Sequence, residues 1–401
     1  MKTMLKLPLM LDGATGSCLM ERGLPAGVCP EKWISENPDI ISALQQEYEE
    51  AGSGLVLAPT FGAMTHKLAH FGLGAETGTL NKKLLAISRA AVSENVLVAA
   101  DVSASGLFIA PYGDETMETL TDKYSEQISH LTDADVIVSE TNMTISDARA
   151  AVIAAKRLCD KPIFVTFTFD SEGRTMMGAT AESALCIFRA LGVSAFGLNC
   201  GTGPDGMVSV FEKLAPLAEG FPLIAKPNAG LPAMVDGKET YSMSPEDLAS
   251  FAEKFYSLGV RIFGGCCGTN PLHIKAIAEE VKKLPKSVAS KTGCAEYLAT
   301  ERTILAVRDV TLSGEIEVTD FLADDLMDCL DTCPLVRITS SEDVRIFEEN
   351  QHAAQNPVVF ISEDTTLLEK ALLSYNGRAG VVLSSPEQEK SAHFFGAYIL
   401  R

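Results

Sequence analysis

The stretch VRIFGGCCG (260–268) joins a short apolar run to a glycine-rich end that carries two adjacent cysteines. Its first four residues have the length and composition of a buried strand, and the glycines end it. The same layout recurs upstream in PLMLDGATG (8–16), GLVLAPTF (54–61), VLVAADVS (96–103), DVIVSET (135–141), PIFVTFTF (162–169), AFGLNCG (195–201) and PLIAKPNAG (222–230). Runs without polar alternation fit parallel strands covered on both faces. Amphipathic stretches lie between them, among them PDIISALQQEYEEAG, NKKLLAISRAAVSEN, METLTDKYSEQISHL, ISDARAAVIAAKRL, AESALCIFRAL and SPEDLASFAEKFYSLG. Ser244 and Asp247 suit an N-cap and first turn, and Gly259 a helix stop. Eight strand-and-helix units within residues 1–285 predict an α/β fold, a closed (β/α)8 barrel of the TIM type. A doubly wound open sheet is the competing arrangement. The chain has no GxGxxG after its first run and no GxxxxGK[ST], so nucleotide-binding forms of that sheet lose support.

In a β/α barrel the carboxyl ends of the strands carry the active site. The polar residues at those ends are Asp12, Thr60, Asp101, Glu140, Asn199, Cys200, Asn228, Cys266 and Cys267. Adjacent cysteines in a strand point to opposite faces, so Cys266 and Cys267 can reach one metal only where the strand ends. Gly264, Gly265 and Gly268 supply that freedom. With Cys200 at the end of the sixth run, three thiolates can meet at the barrel mouth and leave a fourth zinc position open, as catalytic zinc sites do. Zinc in such a shell holds a substrate thiol deprotonated at neutral pH. Three cysteines packed beneath glycine-rich turns fit the same spacing, which alone does not decide between the two. Asp12 before Gly13 equally suits a turn former, and Glu140 a surface carboxylate. The other cysteines, 18, 29, 159, 186, 294, 329 and 333, stand singly and read as small buried hydrophobes. Cys329 and Cys333 are four apart, so one helical face could carry both, though without nearby His or Cys partners packing is the better reading.

Of 401 residues, 46% are hydrophobic and 21% charged, enough for one large core and a smaller unit. The formal net charge of −20 disfavours nucleic acid and anionic lipid as partners, and also serves simple solubility. No apolar run reaches the length of a membrane span. The short patch in MKTMLKLPLMLDG ends at Asp12, too early for a signal-peptide core, so the chain reads as cytoplasmic with its ten cysteines reduced. Residues 286–296 (PKSVASKTGCA) read as a linker. Residues 297–401 then resume a βα rhythm, with TILAV, PLVRITS, PVVFISE and AGVVLSS as strands and DFLADDLMDCL, SEDVRIFEEN, TTLLEKALLSYN and PEQEKSAHFFGAYI as helices. Four such units make a small α/β domain or half a barrel.

The segment GGCCGTNPLHI (264–274), with GLNCGTGP (197–204), resembles the zinc signature of the homocysteine S-methyltransferase family. LDGATGS (11–17) resembles that family's first strand, VSETN (138–142) its fourth, FTFDSEGRTMMG (167–178) its fifth and KPNAGLP (226–232) its seventh. The last leans toward the homocysteine-binding module of cobalamin-dependent methionine synthase. The resemblance spans residues 8–285 and implies Zn2+ on Cys200, Cys266 and Cys267. It also implies Asp12 and Glu140 on the ammonium of homocysteine, and the backbone amides near Gly13 and Ala14 on its carboxylate. The implied reaction is methyl transfer to the homocysteine thiol, giving methionine. Its donor is a methylcorrinoid on a separate protein, since the chain has no DxHxxG corrinoid signature. S-methylmethionine or S-adenosylmethionine is the alternative donor, and a non-catalytic zinc or homocysteine-binding protein the alternative class. Two segments depart from the family pattern: APTF (58–61) has Pro59 where the family has Asn, and DVSASGLFIAPYGD (101–114) lacks its glycine–proline pattern. Residues 297–401 faintly resemble a stretch of pterin-binding barrels.

Overall fold

The computed structural model describes residues 5–235, 238–285 and 296–400. The expected linker 286–296, except for residue 296, and Cys294 lie outside the described residues. Strands β1 (Leu9–Met10), β2 (Leu55–Leu57), β3 (Leu97–Ser103), β4 (Val136–Asn142), β5 (Ile163–Phe167), β6 (Ala195–Asn199), β7 (Leu223–Lys226) and β8 (Val260–Phe263) form one sheet in the order β1-β8-β7-β6-β5-β4-β3-β2. Every pair in it is parallel. The two ends of that order meet: Gly54 N donates to Met10 O at 2.8 Å, and Leu57 N donates to the Asp12 carboxylate at 2.8 Å. The sheet thus curls into the expected TIM-type barrel.

Alternate strand residues point inward, where Leu9, Leu57, Val138, Phe164, Ile224 and Ile262 form one buried cluster. The residues between them, such as Val56, Ile137, Val165 and Phe196, pack outward against the helices. Both faces of each strand are therefore apolar, which is why the runs show no alternation. Helices Pro38–Glu50, Thr77–Ala91, Met117–Ser129, Ile145–Leu158, Ala181–Ala190 and Gly203–Ala218 cover the outside. The stretch expected as one helix near 244–259 is two, Pro245–Ala249 and Ala252–Ser257. Ser244 Oγ accepts from Asp247 N at 3.1 Å, the N-cap bond expected of it. An antiparallel hairpin, Ala233–Val235 with Lys238–Thr240, follows β7 and was not anticipated. No helix among the described residues is long and apolar enough to cross a membrane.

The C-terminal unit holds a five-stranded parallel sheet, β9 (Leu312–Glu317), β10 (Cys333–Arg337), β11 (Val359–Ile361), β12 (Gly380–Val382) and β13 (Tyr398–Leu400), in chain order. That order is the one expected of half a barrel; a doubly wound sheet reverses its order midway. Expectations fail at several points here. PEQEKSAHFFGAYI is helical only over Gln388–Phe394, and its end enters β13. TILAV does not join this sheet: Ile304–Ala306 pairs antiparallel with Tyr297–Ala299. The first parallel strand is instead Leu312–Glu317, an exposed edge whose polar sequence hides it. Cys329 and Cys333 do not share a helix, because helix Leu322–Asp328 ends at Cys329 and Cys333 opens β10.

Cations on the barrel helices pin this unit to the barrel. Arg149 is fully buried, and its guanidinium donates to Leu372 O at 2.9 Å and Gly377 O at 3.4 Å. Burial lowers its pKa to about 10, so it stays charged at neutral pH. Lys156 Nζ donates to Leu191 O at 2.8 Å and to Phe394 O. Thr180 N, on the barrel, donates to Glu301 O at 3.0 Å. Arg149→Met strips the donor from two buried carbonyls, each worth about 1–3 kcal/mol. The variant is expected to melt at a lower temperature, with the C-terminal unit cleaved first in limited proteolysis. An unchanged midpoint and cleavage pattern would show that the seam contributes no stability.

Candidate metal and substrate site

Cys200 follows β6 with a φ of +57°, and Gly201 and Gly203, at +72° and +71°, continue the left-handed turn. A non-glycine residue there is strained and must be held by its surroundings. Cys200 N donates to Lys226 O at 3.2 Å, locking the turn to the end of β7. On the neighbouring strand Cys266 N donates to Pro227 O at 2.8 Å, and Gly265 N to Asp12 O at 3.0 Å. A Cβ at Gly265 would stand 2.3 Å from Thr269 Oγ1, so the backbone approaches too closely for a side chain.

These turns bring the three sulfurs together. Cys200 Sγ lies 2.6 Å from Cys266 Sγ and 3.7 Å from Cys267 Sγ, and all three are within 4.8 Å of one another. Tetrahedral zinc with bonds near 2.3 Å spaces its sulfurs about 3.8 Å apart. The Cys200–Cys267 distance already fits, and a small opening at Cys266 completes the triangle. Without a cation the thiols crowd. The Cys200 thiol is pushed far up by hydrogen bonding to Cys266 and Cys267, and then by burial. The Cys266 thiol is lowered by its bond to Cys200, but the bond to Cys267 and burial outweigh that and raise it. A divalent cation relieves this crowding, so the donor set fits a thiophilic metal.

Behind the sulfurs stand three buried carboxylates, Asp12, Asp101 and Glu140. Asp12 Oδ2 accepts from Leu57 N, while Asp12 Oδ1 and Asp101 Oδ1 are buried without a hydrogen-bond partner. Burial raises the pKa of Asp12 to about 7, against the pull of Lys226. Asp101 is also raised, first by burial and then by Glu140. Thr60 holds it: Thr60 Oγ1 accepts from Asp101 N at 3.1 Å and donates to Asp101 O at 2.7 Å. Glu140 is not free, since its Oε2 accepts from Lys226 Nζ at 2.5 Å. Lys226, 2% exposed, went unremarked in the sequence; its signal was a lone cation in an apolar strand, which has to be paired when buried. Asp101 stood among the strand-end residues but had no assigned role.

Asn199 ties the parts together. Its Oδ1 accepts from Thr141 N at 3.0 Å and Thr166 Oγ1 at 2.8 Å, and its Nδ2 donates to Thr141 Oγ1 at 2.7 Å and toward Cys266 Sγ at 3.7 Å. Thr141, next to Glu140, has a φ of +60°. Asn199 thus pins the ends of β4 and β5 to its own strand. The Asn228 side chain does not do so visibly, since its Oδ1 is buried without a partner. The amide of Ala14 is not open to a ligand either: it donates to Thr269 Oγ1 at 3.1 Å, and Tyr48 Oη donates to Ala14 O at 2.8 Å. The hydroxyl of Thr269 satisfies a buried amide that would otherwise be orphaned.

Residues 9–281 match the family model described as homocysteine S-methyltransferase. The chain belongs to this family. Among its relatives, methionine synthase of Mycobacterium leprae is 29% identical over 306 residues, covering 71% of this chain and 25% of that protein. Methionine synthase of Mycobacterium tuberculosis is 29% identical over 296 residues, 69% of this chain and 25% of that protein. The chain therefore spans about a quarter of the length of the curated relatives it matches. The metallated form of the homocysteine methyltransferase MmuM from Escherichia coli superposes with a TM-score of 0.58 at 23% identity, covering 68% of this chain and 95% of that one. That likeness shows the barrel fold.

Asp12 gives the family member a measurable pH dependence. In the folded, metal-free chain it keeps its proton up to about pH 7, whereas an unfolded aspartate releases it near 3.8. Between those values the folded state binds the extra proton, so stability falls as pH rises through the window. Asp12→Asn removes that contribution. Denaturant midpoints of the metal-free protein at about pH 5 and about pH 8 are expected to differ less in the variant than in the wild type. Equal differences would show that Asp12 titrates as an ordinary surface carboxylate.

Proposed function

We propose that this chain is a zinc-dependent enzyme that transfers a methyl group to the thiol of homocysteine, giving methionine. The observation that carries the reading is the convergence of three sulfurs within 4.8 Å on a buried set of carboxylates with two unpartnered oxygens. Cys200, Cys266 and Cys267 would hold Zn2+, which keeps a substrate thiol deprotonated at neutral pH. Asp12 and Glu140, with Asp101 beside them, receive the substrate's ammonium through charge-assisted hydrogen bonds. The peptide around Gly13 and Ala14 takes the carboxylate side, where Thr269 gives up the Ala14 amide. With the amino acid fixed at that end, its sulfur faces the barrel mouth. The sulfur lone pair forms the new S–CH3 bond while the methyl–donor bond breaks, its electron pair leaving with the donor.

The donor is proposed to arrive on a separate methylcorrinoid protein; the likeness to methionine synthases supports that reading over S-methylmethionine or S-adenosylmethionine. The chain is proposed to work in the cytoplasm. With homocysteine as acceptor, turnover is expected to be slow with either small donor and much faster with a methylated corrinoid protein. Rapid turnover with a small donor would promote that alternative, and no methionine with any donor would favour a binding protein.

Cys200→Ala and Cys266→Ala are each expected to lose stoichiometric zinc and activity while the barrel persists, because its core does not depend on the metal. Full zinc retention in the triple alanine variant would overturn the ligand assignment. Asp12→Asn is expected to keep zinc and weaken homocysteine by about 1.5–3 kcal/mol, roughly one to two decades in affinity.

A further inference from the structure

Lys226 sits at the end of β7 with its side chain 2% exposed. The fold makes room for it: a Cβ at Gly264 would stand 3.2 Å from Lys226 Cγ, so the glycine there leaves the stem its track. Its ammonium donates to Glu140 at 2.5 Å, and its carbonyl accepts the Cys200 amide at 3.2 Å. One residue thus spans the carboxylate set and a thiol-bearing turn. Its charge also acts on Asp12 and Asp101. Three buried carboxylates facing a single substrate ammonium would leave two charges uncompensated, and unpaired buried charge is costly. With Lys226 on Glu140, the fully buried carboxylate oxygens left without partners are one each on Asp12 and Asp101.

We propose that Lys226 is a positioning residue for the acceptor: it holds one oxygen of Glu140 as a charged pair, so that the second oxygen of Glu140, with Asp12 and Asp101 beside it, seats one further ammonium. The inference rests on the homocysteine reading and names the acceptor class more narrowly, as a thiol bearing one ammonium and no second cation. Released from Glu140, the lysine would turn to Asp12 and Asp101 and compete with the substrate. Deleted, it would leave Glu140 buried and unpaired.

The experiment uses the full zinc-loaded chain with Lys226→Met, Glu140→Gln and the double variant. It measures bound zinc, kcat and KM for homocysteine, and the affinity for 4-sulfanylbutanoate, which has the thiol and carboxylate but no ammonium. Lys226→Met is expected to raise the homocysteine KM about tenfold or more, with zinc and kcat nearly unchanged. The des-amino analogue should lose little, which a general structural defect would not spare. The double variant should bind homocysteine better than either single variant, because it contains neither a stranded carboxylate nor a competing lysine. A wild-type KM in Lys226→Met, or losses that add in the double variant, would overturn the proposal. Should Lys226→Met not fold, the double variant is compared with Glu140→Gln alone, and weaker homocysteine binding in the double variant overturns it. A wild-type chain with no affinity for homocysteine would instead defeat the functional reading and leave the ion pair untouched.

Discussion

The carboxylate of Asp12 stands where the barrel closes. One oxygen accepts the amide of Leu57 from β2, and the residue's carbonyl accepts the amide of Gly265 just beyond β8. Three strands that are distant in sequence are thereby joined at one residue, on the rim that carries the sulfurs. The join between β1 and β2 has little else: Gly54 N to Met10 O is the backbone bond across it. The other oxygen of the same carboxylate is left buried with nothing to accept from. A carboxylate in that position is costly unless a cation arrives, and burial accordingly raises its pKa to about 7. Barrel closure and the proposed ammonium site would therefore draw on one side chain, so a turn-forming role and a binding role for Asp12 are not alternatives.

How much of this was legible in the sequence follows from what each residue has to do locally. The barrel was legible because both faces of each strand must be apolar, and eight runs without alternation leave few other folds. Cys200, Cys266 and Cys267 were legible as a set only through the rule that strand ends share a mouth, since 66 residues separate the first from the second. Lys226 was not, because its meaning lies in Glu140, which is 86 residues away and contributes no local pattern. The edge strand Leu312–Glu317 escaped for the opposite reason: mostly exposed, with only Ser313 and Ile316 partly buried, it carries no apolar run. The Ala14 amide was expected to be open, and only the fold brings Thr269, 255 residues on, into bonding distance.

The site is also held rigid before any ligand enters. Cys200 and Thr141 both have left-handed backbone, and both are clamped by hydrogen bonds to other strand ends: Cys200 N to Lys226 O on the adjacent β7, Thr141 N to Asn199 Oδ1 on β6, two strands away. Asn199 spends all its capacity on this, so the strain is maintained by a side chain that belongs to the same strand end as the thiol it helps to place. The departures from the family pattern lie near this clamp without entering it. Pro59 precedes Thr60, yet the Thr60 hydroxyl still grips the backbone of Asp101.

The charge balance of the pocket then constrains how a metal enters. Counted as ionised, three thiolates and three carboxylates face one lysine, an excess that a buried site does not tolerate. Protons make up the difference in the metal-free chain: burial raises Asp12 and Asp101, and hydrogen bonding among the thiols together with burial raises Cys200 and Cys266. On the proposed reading, a divalent ion would displace thiol protons and the substrate's ammonium would displace carboxyl protons. The two binding events would then be coupled through the same excess charge: a dication on the sulfurs would lower the negative potential that draws the ammonium, while ionised carboxylates would strengthen it. Lys226 sets the zero of that balance. Because its ammonium is permanent and its backbone carries the Cys200 turn, the metal half and the amino-acid half of the site cannot shift independently of each other.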